Sequence, residues 1–235
     1  MFKFLLVFFL CVAFASKNLA KVDTQKYKYL SERDLRLIAK NWNDYEWAAR
    51  KAGIPSLILP AIHYRECQLF PGWYSSKLER PIKNIGGPFM LDFGPLNNGT
   101  EFKRRIGEYE KKVFKIYFGE GKAPKVSEDF RFAALCAAHH LKEKLRSDVW
   151  TTESLIDAVW GYNGRAKWST LDESAYVFSD PMNGKQLTLI YKTSRGNKIY
   201  LPDKRPGVMI IYKEIYELCH GDNFNCLKAL APNRQ

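Results

Sequence analysis

The stretch Ile54-Pro55-Ser56-Leu57-Ile58-Leu59-Pro60-Ala61-Ile62-His63-Tyr64-Arg65-Glu66 constrains this chain more than any other, because it is an apolar, helix-like run that ends on a single acid. Pro55 or Pro60 suits the first turn of such a helix, where a missing N–H costs little. Periodicity calls for an apolar or an exposed polar residue at the far end. An acid on a mostly apolar face is instead where desolvation disfavours the charged form and raises the pKa. On the helix Glu66 shares a face with Leu59, Ile62 and His63, whereas Arg65, turned by about 100 degrees, points elsewhere. Two later glycine-bearing elements, Gly86-Gly87-Pro88-Phe89-Met90-Leu91-Asp92 and Gly161-Tyr162-Asn163-Gly164-Arg165, make Glu66 a candidate for proton transfer. A general acid working near neutral pH needs a raised pKa of this kind.

Helical spacing dominates the remaining pattern. Ser31, with Asp34 three residues on, predicts an N-cap; Leu35, Ile38, Ala39, Trp42 and Tyr45 follow at helical intervals until Gly53 stops the run. After a proline- and glycine-rich stretch over 71–99, Thr100 caps a predicted helix through Phe118 with Phe102, Ile106, Tyr109, Val113 and Tyr117 as its apolar stripe. Ser127 is the expected cap of a helix over 128–146, and a shorter helix over 153–160 leads into a tight loop holding Tyr162 and Asn163. Alternation over 186–193, a turn signal at 194–197 and a return over 198–201 predict a hairpin, and a helix over 208–219 closes the pattern. The expected class is α+β, predominantly α, with a small C-terminal β-hairpin. There is no internal repeat or low-complexity linker.

Met1-Phe2-Lys3, an apolar run over 4–14 and the small-x-small pattern Ala13-Phe14-Ala15 predict a secretory signal peptide, cleaved after Ala15 or as late as residue 20. The run is short for a membrane span of about 20 residues, and Phe9-Leu10 before Cys11 does not suit a lipoprotein site. Residues 21–235 then form one domain, large enough to bury a core. The net charge is +12, with Lys and Arg spread along the chain. A diffuse positive field suits nucleic acid, an anionic membrane or the carboxylates of bacterial peptidoglycan, and export makes the wall the simplest partner. Cys219 and Cys226 flank a polar, glycine-containing loop that suits a local disulfide in an oxidising compartment, while Cys67 and Cys136 form either a second bridge or, as their helix-like patterns favour, buried thiols.

The Ile-Pro helix ending in a lone Glu, the glycine-led turn with Met and Asp, the Tyr162-Asn163-Gly164 segment and Tyr176-Val177 together resemble the lysozyme superfamily, closest in order and spacing to the soluble lytic transglycosylases and goose-type lysozymes. The likeness runs over 42–177, and the hairpin followed by Asp203-Lys204-Arg205-Pro206-Gly207 is similar to wall-lytic members of that group. The chain departs from the pattern where Cys67 replaces the serine that follows the acid, and where Met90 replaces a sugar-binding glutamine.

The resemblance implies a lysozyme-like fold and a secreted or periplasmic bacterial enzyme that cuts the β-1,4 bond between N-acetylmuramic acid and N-acetylglucosamine, with Glu66 as proton donor. It implies that Asp92 places the water for direct hydrolysis; without such a group Glu66 returns as base, the muramic acid 6-hydroxyl attacks C1 and an anhydro sugar forms. It puts Gly87, Phe89, Met90, Tyr162, Asn163, Arg165 and Tyr176 along the glycan, with the Tyr162 hydroxyl near Glu66 and Tyr176 either a glycan-facing ring or core. No cofactor or metal is implied, and a monomer without stable membrane insertion is expected. His63 with Glu66, or His139 and His140, is a weaker metal pattern lacking the fuller zinc spacing, and His63 with Cys67 a weaker thiol pair. A wall-binding protein that kept the fold without activity is the alternative.

Overall fold

The computed structural model describes residues 28–70, 73–75, 80–82, 87–89, 91, 99–163, 170–172, 174–192, 198–202 and 204–220. The expected signal peptide and the residues Met90, Asp92, Arg165 and Cys226 lie outside these, and no described helix is long and apolar enough to cross a membrane.

The described chain is predominantly helical. Helix α1 (Glu32–Ala52) starts at Ser31, whose side chain accepts from the Asp34 amide at 3.2 Å while the Asp34 carboxylate accepts from the Ser31 amide at 3.0 Å. This reciprocal cap satisfies two otherwise unpaired donors. Gly53, at φ 72°, ends the helix in the left-handed conformation that only glycine adopts without steric cost. Helix α2 (Ile58–Cys67) carries Pro60 in its first turn. It closes through Gln68 and Leu69, both left-handed at φ 51° and 62°, which reverses the chain directly behind the acid.

Strands β1 (Trp73–Ser75) and β2 (Arg80–Ile82) pair antiparallel, and helix α3 (Gly99–Phe118) follows with Ile106, Tyr109 and Val113 buried. Helix α4 (Phe130–Lys144) is capped by Asp129 rather than by Ser127. The amides of Glu128 and Asp129 turn back onto the Lys125 carbonyl, which places the Asp129 carboxylate 2.9 Å from the Phe132 amide. Every residue from Phe132 to Leu141 is buried, so α4 is the axis of the core. Alanines at 133, 134, 137 and 138 let neighbouring helices approach it closely, and α1 packs against it most extensively.

Helix α5 (Thr152–Tyr162) runs two residues beyond expectation. Tyr162 therefore belongs to its last turn and Asn163 is its C-cap, not part of a separate tight loop. The short helix α6 (Ala175–Phe178) precedes strands β3 (Thr188–Lys192) and β4 (Lys198–Pro202), which pair antiparallel with Ile190 opposite Tyr200. Helix α7 (Val208–His220) then packs against α2 and α6. Glu214 of α7 accepts the amides of Lys28, Tyr29 and Leu30, tying the entering chain to the last described helix. Cys67, Cys136 and Cys219 are buried free thiols. The expected bridge is thus not formed on Cys219, and its partner Cys226 is outside the described residues.

Candidate active site

Glu66 stands in the last turn of α2 and is half-buried. Leu59, Ile62 and His63, on the same face, are completely buried and form the floor beneath it. The state of His63 follows from its two contacts. Its Nε2 lies 2.8 Å from the Phe70 carbonyl, which only accepts, so Nε2 carries the proton and Nδ1 accepts from the Tyr45 hydroxyl at 2.6 Å. Burial pushes the imidazole down to about 4, keeping it neutral. With both nitrogens committed, His63 has none left for a metal ion or for a base serving Cys67. The Cys67 thiol is itself pushed up to about 12 by burial and by the neighbouring Glu66 charge, so it is a packing residue.

The hydroxyl that reaches the acid is that of Tyr176: Oη donates to Glu66 Oε1 at 2.7 Å, across 110 residues of sequence. Burial, the Glu66 charge and the hydrogen bond hold this phenol well above its usual range, so it remains a donor. Tyr176 is only 5% exposed, so its ring is not the glycan-facing platform allowed for above; it is a buried post whose tip meets the acid.

Tyr162 lies within reach of the Glu66 charge, but its hydrogen bond goes to a backbone carbonyl. Its hydroxyl donates to the Phe89 carbonyl at 3.0 Å, although the Glu66 charge still contributes to raising its pKa behind desolvation. Phe89 and Gly87 are likewise buried, so the Phe89 ring does not line an exposed glycan surface. The Phe89 ring packs into an aromatic group with Tyr45, His63 and Phe130 at centroid distances of 6.4, 5.1 and 5.8 Å. Gly87 is required by geometry: at φ 70° a Cβ would sit 2.6 Å from the Val126 carbonyl oxygen. The glycine-led turn is therefore scaffold that fixes Tyr162. Asn163, at the end of α5, is the expected site residue that is exposed.

Arg65 is the residue missed by spacing. It does point away from Glu66, but inward: it is 2% exposed, its Nη1 donates to the carbonyls of Arg205 at 3.0 Å and Pro206 at 3.1 Å, and its guanidinium carbon lies 5.4 Å from the Tyr176 ring centroid. The signal was present in the sequence. Ile58, Ala61, Ile62 and Arg65 recur at intervals of three and four, which puts Arg65 on the buried stripe.

Elsewhere, a cavity of about 280 Å³ opens between α7 and the entering chain, lined by Lys28, Tyr29, Asp180, Ile210, Lys213 and Glu214. None of the candidate site residues borders it; its Asp180 carboxylate already accepts from Tyr29 and Asn183, and its Glu214 carboxylate from three backbone amides. Among the described residues no three metal-ligating side chains come together. What the Glu66 centre offers is a half-exposed carboxyl group on an apolar floor that accepts from the Tyr176 phenol, which suits proton transfer to or from a bound molecule. No protein-family model, no curated protein and no solved structure matches this chain.

Proposed function

We propose that this protein is an exported peptidoglycan glycosidase of lysozyme-like fold. Glu66 is its general acid, cutting the β-1,4 bond between N-acetylmuramic acid and N-acetylglucosamine in a bacterial wall, with no cofactor. The observation that carries the reading is the 2.7 Å hydrogen bond from Tyr176 to Glu66, because two motifs singled out by resemblance, far apart in sequence, meet at the acid. The apolar floor of Leu59 and Ile62 favours the protonated form needed to give a proton to the leaving oxygen. The Tyr176 hydroxyl favours the carboxylate left afterwards. The positive net charge of +12 supports binding to a polymer bearing lactyl and peptide carboxylates.

The test is mass spectrometry of fragments released from purified sacculi by the protein and by Glu66→Gln. The expected result is release by the first and none by the second. Products ending in anhydro-muramic acid, one water lighter than the reducing form, assign the return of Glu66 as base; reducing ends assign hydrolysis and direct attention to Asp92. Equal release by both proteins removes Glu66 as the acid, and no release by either leaves a wall-binding protein.

A further inference from the structure

We propose that Arg65 is the positioning residue of this site: its guanidinium clamps the turn at 205–207 and the Tyr176 ring onto the helix that carries Glu66, so the hydroxyl meets the acid only while that turn is docked. The inference rests on the reading of Glu66 as the acid.

A buried arginine destabilises a fold unless its donors are paired. Here two consecutive carbonyls, of Arg205 and Pro206, receive Nη1 at 3.0 and 3.1 Å. The contact is reciprocal, since Arg205 Nη1 donates to the Arg65 carbonyl at 3.3 Å. The carbon of the same guanidinium lies over the Tyr176 ring, 5.4 Å from its centroid, within the range where a cation is attracted to an aromatic quadrupole. One group thus touches both the turn and α6.

The next residue completes the clamp. The Gly207 amide donates to the Ser179 carbonyl at 2.7 Å, and Gly207 lies so close to α6 that a Cβ would sit 2.4 Å from the Val177 carbonyl oxygen and 2.6 Å from the Phe178 nitrogen. Helix α6 is only four residues long and cannot hold its own orientation by internal hydrogen bonding. It is held between Gly207 on one side and Arg65 on the other, and Tyr176 is its second residue. Lysine would retain charge, but as a compact ammonium it is not expected both to donate to the two carbonyls and to keep its charge over the ring. The titratable groups around the tyrosine are Glu66, Tyr162 and Arg65, with Cys67 and Arg205 behind the acid.

The experiment compares the full protein with Arg65→Lys and Arg65→Met, and with Glu66→Gln as the control for the acid. Amide hydrogen exchange reads the clamp without reference to activity. The Gly207 and Phe178 amides are expected to lose at least about tenfold in protection in both arginine variants, while amides of α4 keep theirs if the core is intact. Release of fragments from sacculi is expected to fall by about ten- to a hundredfold in kcat with KM nearly unchanged, the cost of a group misplaced by an ångström or so. The pH profile moves, because a positive charge one ring away from the acid is removed or relocated. If Arg65→Met fails to fold, Arg65→Lys carries the test. Unchanged exchange at Gly207 and Phe178 overturns the clamp. Raised exchange with wild-type kcat and pH profile per folded molecule overturns its role in positioning. Raised exchange together with full activity of Glu66→Gln leaves the clamp standing as a structural device but overturns the assignment of the acid on which positioning depends.

Discussion

His63 sets a pH dependence whose size follows from its surroundings. The imidazole is completely buried, gives its one proton to the Phe70 carbonyl and accepts from Tyr45, and burial lowers its pKa from 6.5 to about 4. In the unfolded chain the same group titrates near 6.5. Between those two values the unfolded chain binds a proton that the folded chain refuses, so stability falls as pH drops from about 6.5 towards 4 and loses no more from this group below that. A difference of about 2.5 units, at roughly 1.4 kcal/mol per unit, amounts to about 3 kcal/mol. Against a typical total of about 5–15 kcal/mol this is a large share. His139 and His140 are also lowered by burial and act in the same direction, so the contribution of His63 is isolated by difference. Urea unfolding of the protein and of His63→Gln at pH 7.5 and pH 4 is the assay. At neutral pH the variant is expected to lose about 1–3 kcal/mol, because Gln does not reproduce both hydrogen bonds. Its further loss on acidification is expected to be smaller than that of the parent by about 3 kcal/mol. Equal acid losses in the two proteins would refute the neutral, doubly committed histidine.

Tyr176→Phe keeps the ring on Arg65 and deletes only the donor to Glu66, a bond to a charged group worth about 1.5–3 kcal/mol. Weaker support for the carboxylate raises the pKa of the acid and so moves the alkaline limb of sacculus lysis up by roughly one to two pH units, with little change in the melting temperature; an unmoved limb would mean the phenol does not act on the acid. Gly207→Ala places a methyl group 2.4 Å from the Val177 carbonyl oxygen, where only backbone can yield, and is expected to cost about 1–3 kcal/mol and to lower lysis with it. Gly107→Ala, in α3 with nothing within 4 Å of the added atom, is the matched control and is expected to stabilise by roughly 0.5–1 kcal/mol in the same melts.

The helices were legible where a local rule decided them. Ser31 and Asp34 close their cap within one turn, Gly53 stops α1, and the apolar stripe of α3 is buried at Ile106, Tyr109 and Val113. Their boundaries were less so where two caps compete: Asp129 displaced Ser127 because a turn on the Lys125 carbonyl brought the aspartate to the Phe132 amide. Within the site, the face of α2 could be read from spacing, but which tyrosine meets the acid could not. Both Tyr162 and Tyr176 are buried phenols near the Glu66 charge, and only the tertiary position of the Phe89 carbonyl decides between them. Arg65 points away from Glu66 as its spacing requires, but what it meets was not legible, because its Nη1 donates to carbonyls 140 and 141 residues away.

That division between the two tyrosines bears on the proposed chemistry. A carboxyl group that gives up a proton and takes one back in a single turnover needs an environment that holds neither form too strongly. The buried side chains of Leu59, Ile62 and neutral His63 favour the acid form, and the Tyr176 phenol on Oε1 opposes it. If Tyr162 were also bound to Glu66, a second phenol would stabilise the carboxylate and work against proton donation at neutral pH. The Phe89 carbonyl takes up that second hydroxyl, and the Phe89 carbonyl is held by a turn that only Gly87 can make beside Val126. The glycine-led turn thus acts on the acid indirectly, through what it keeps away from it, even though no side chain of its described residues faces a glycan.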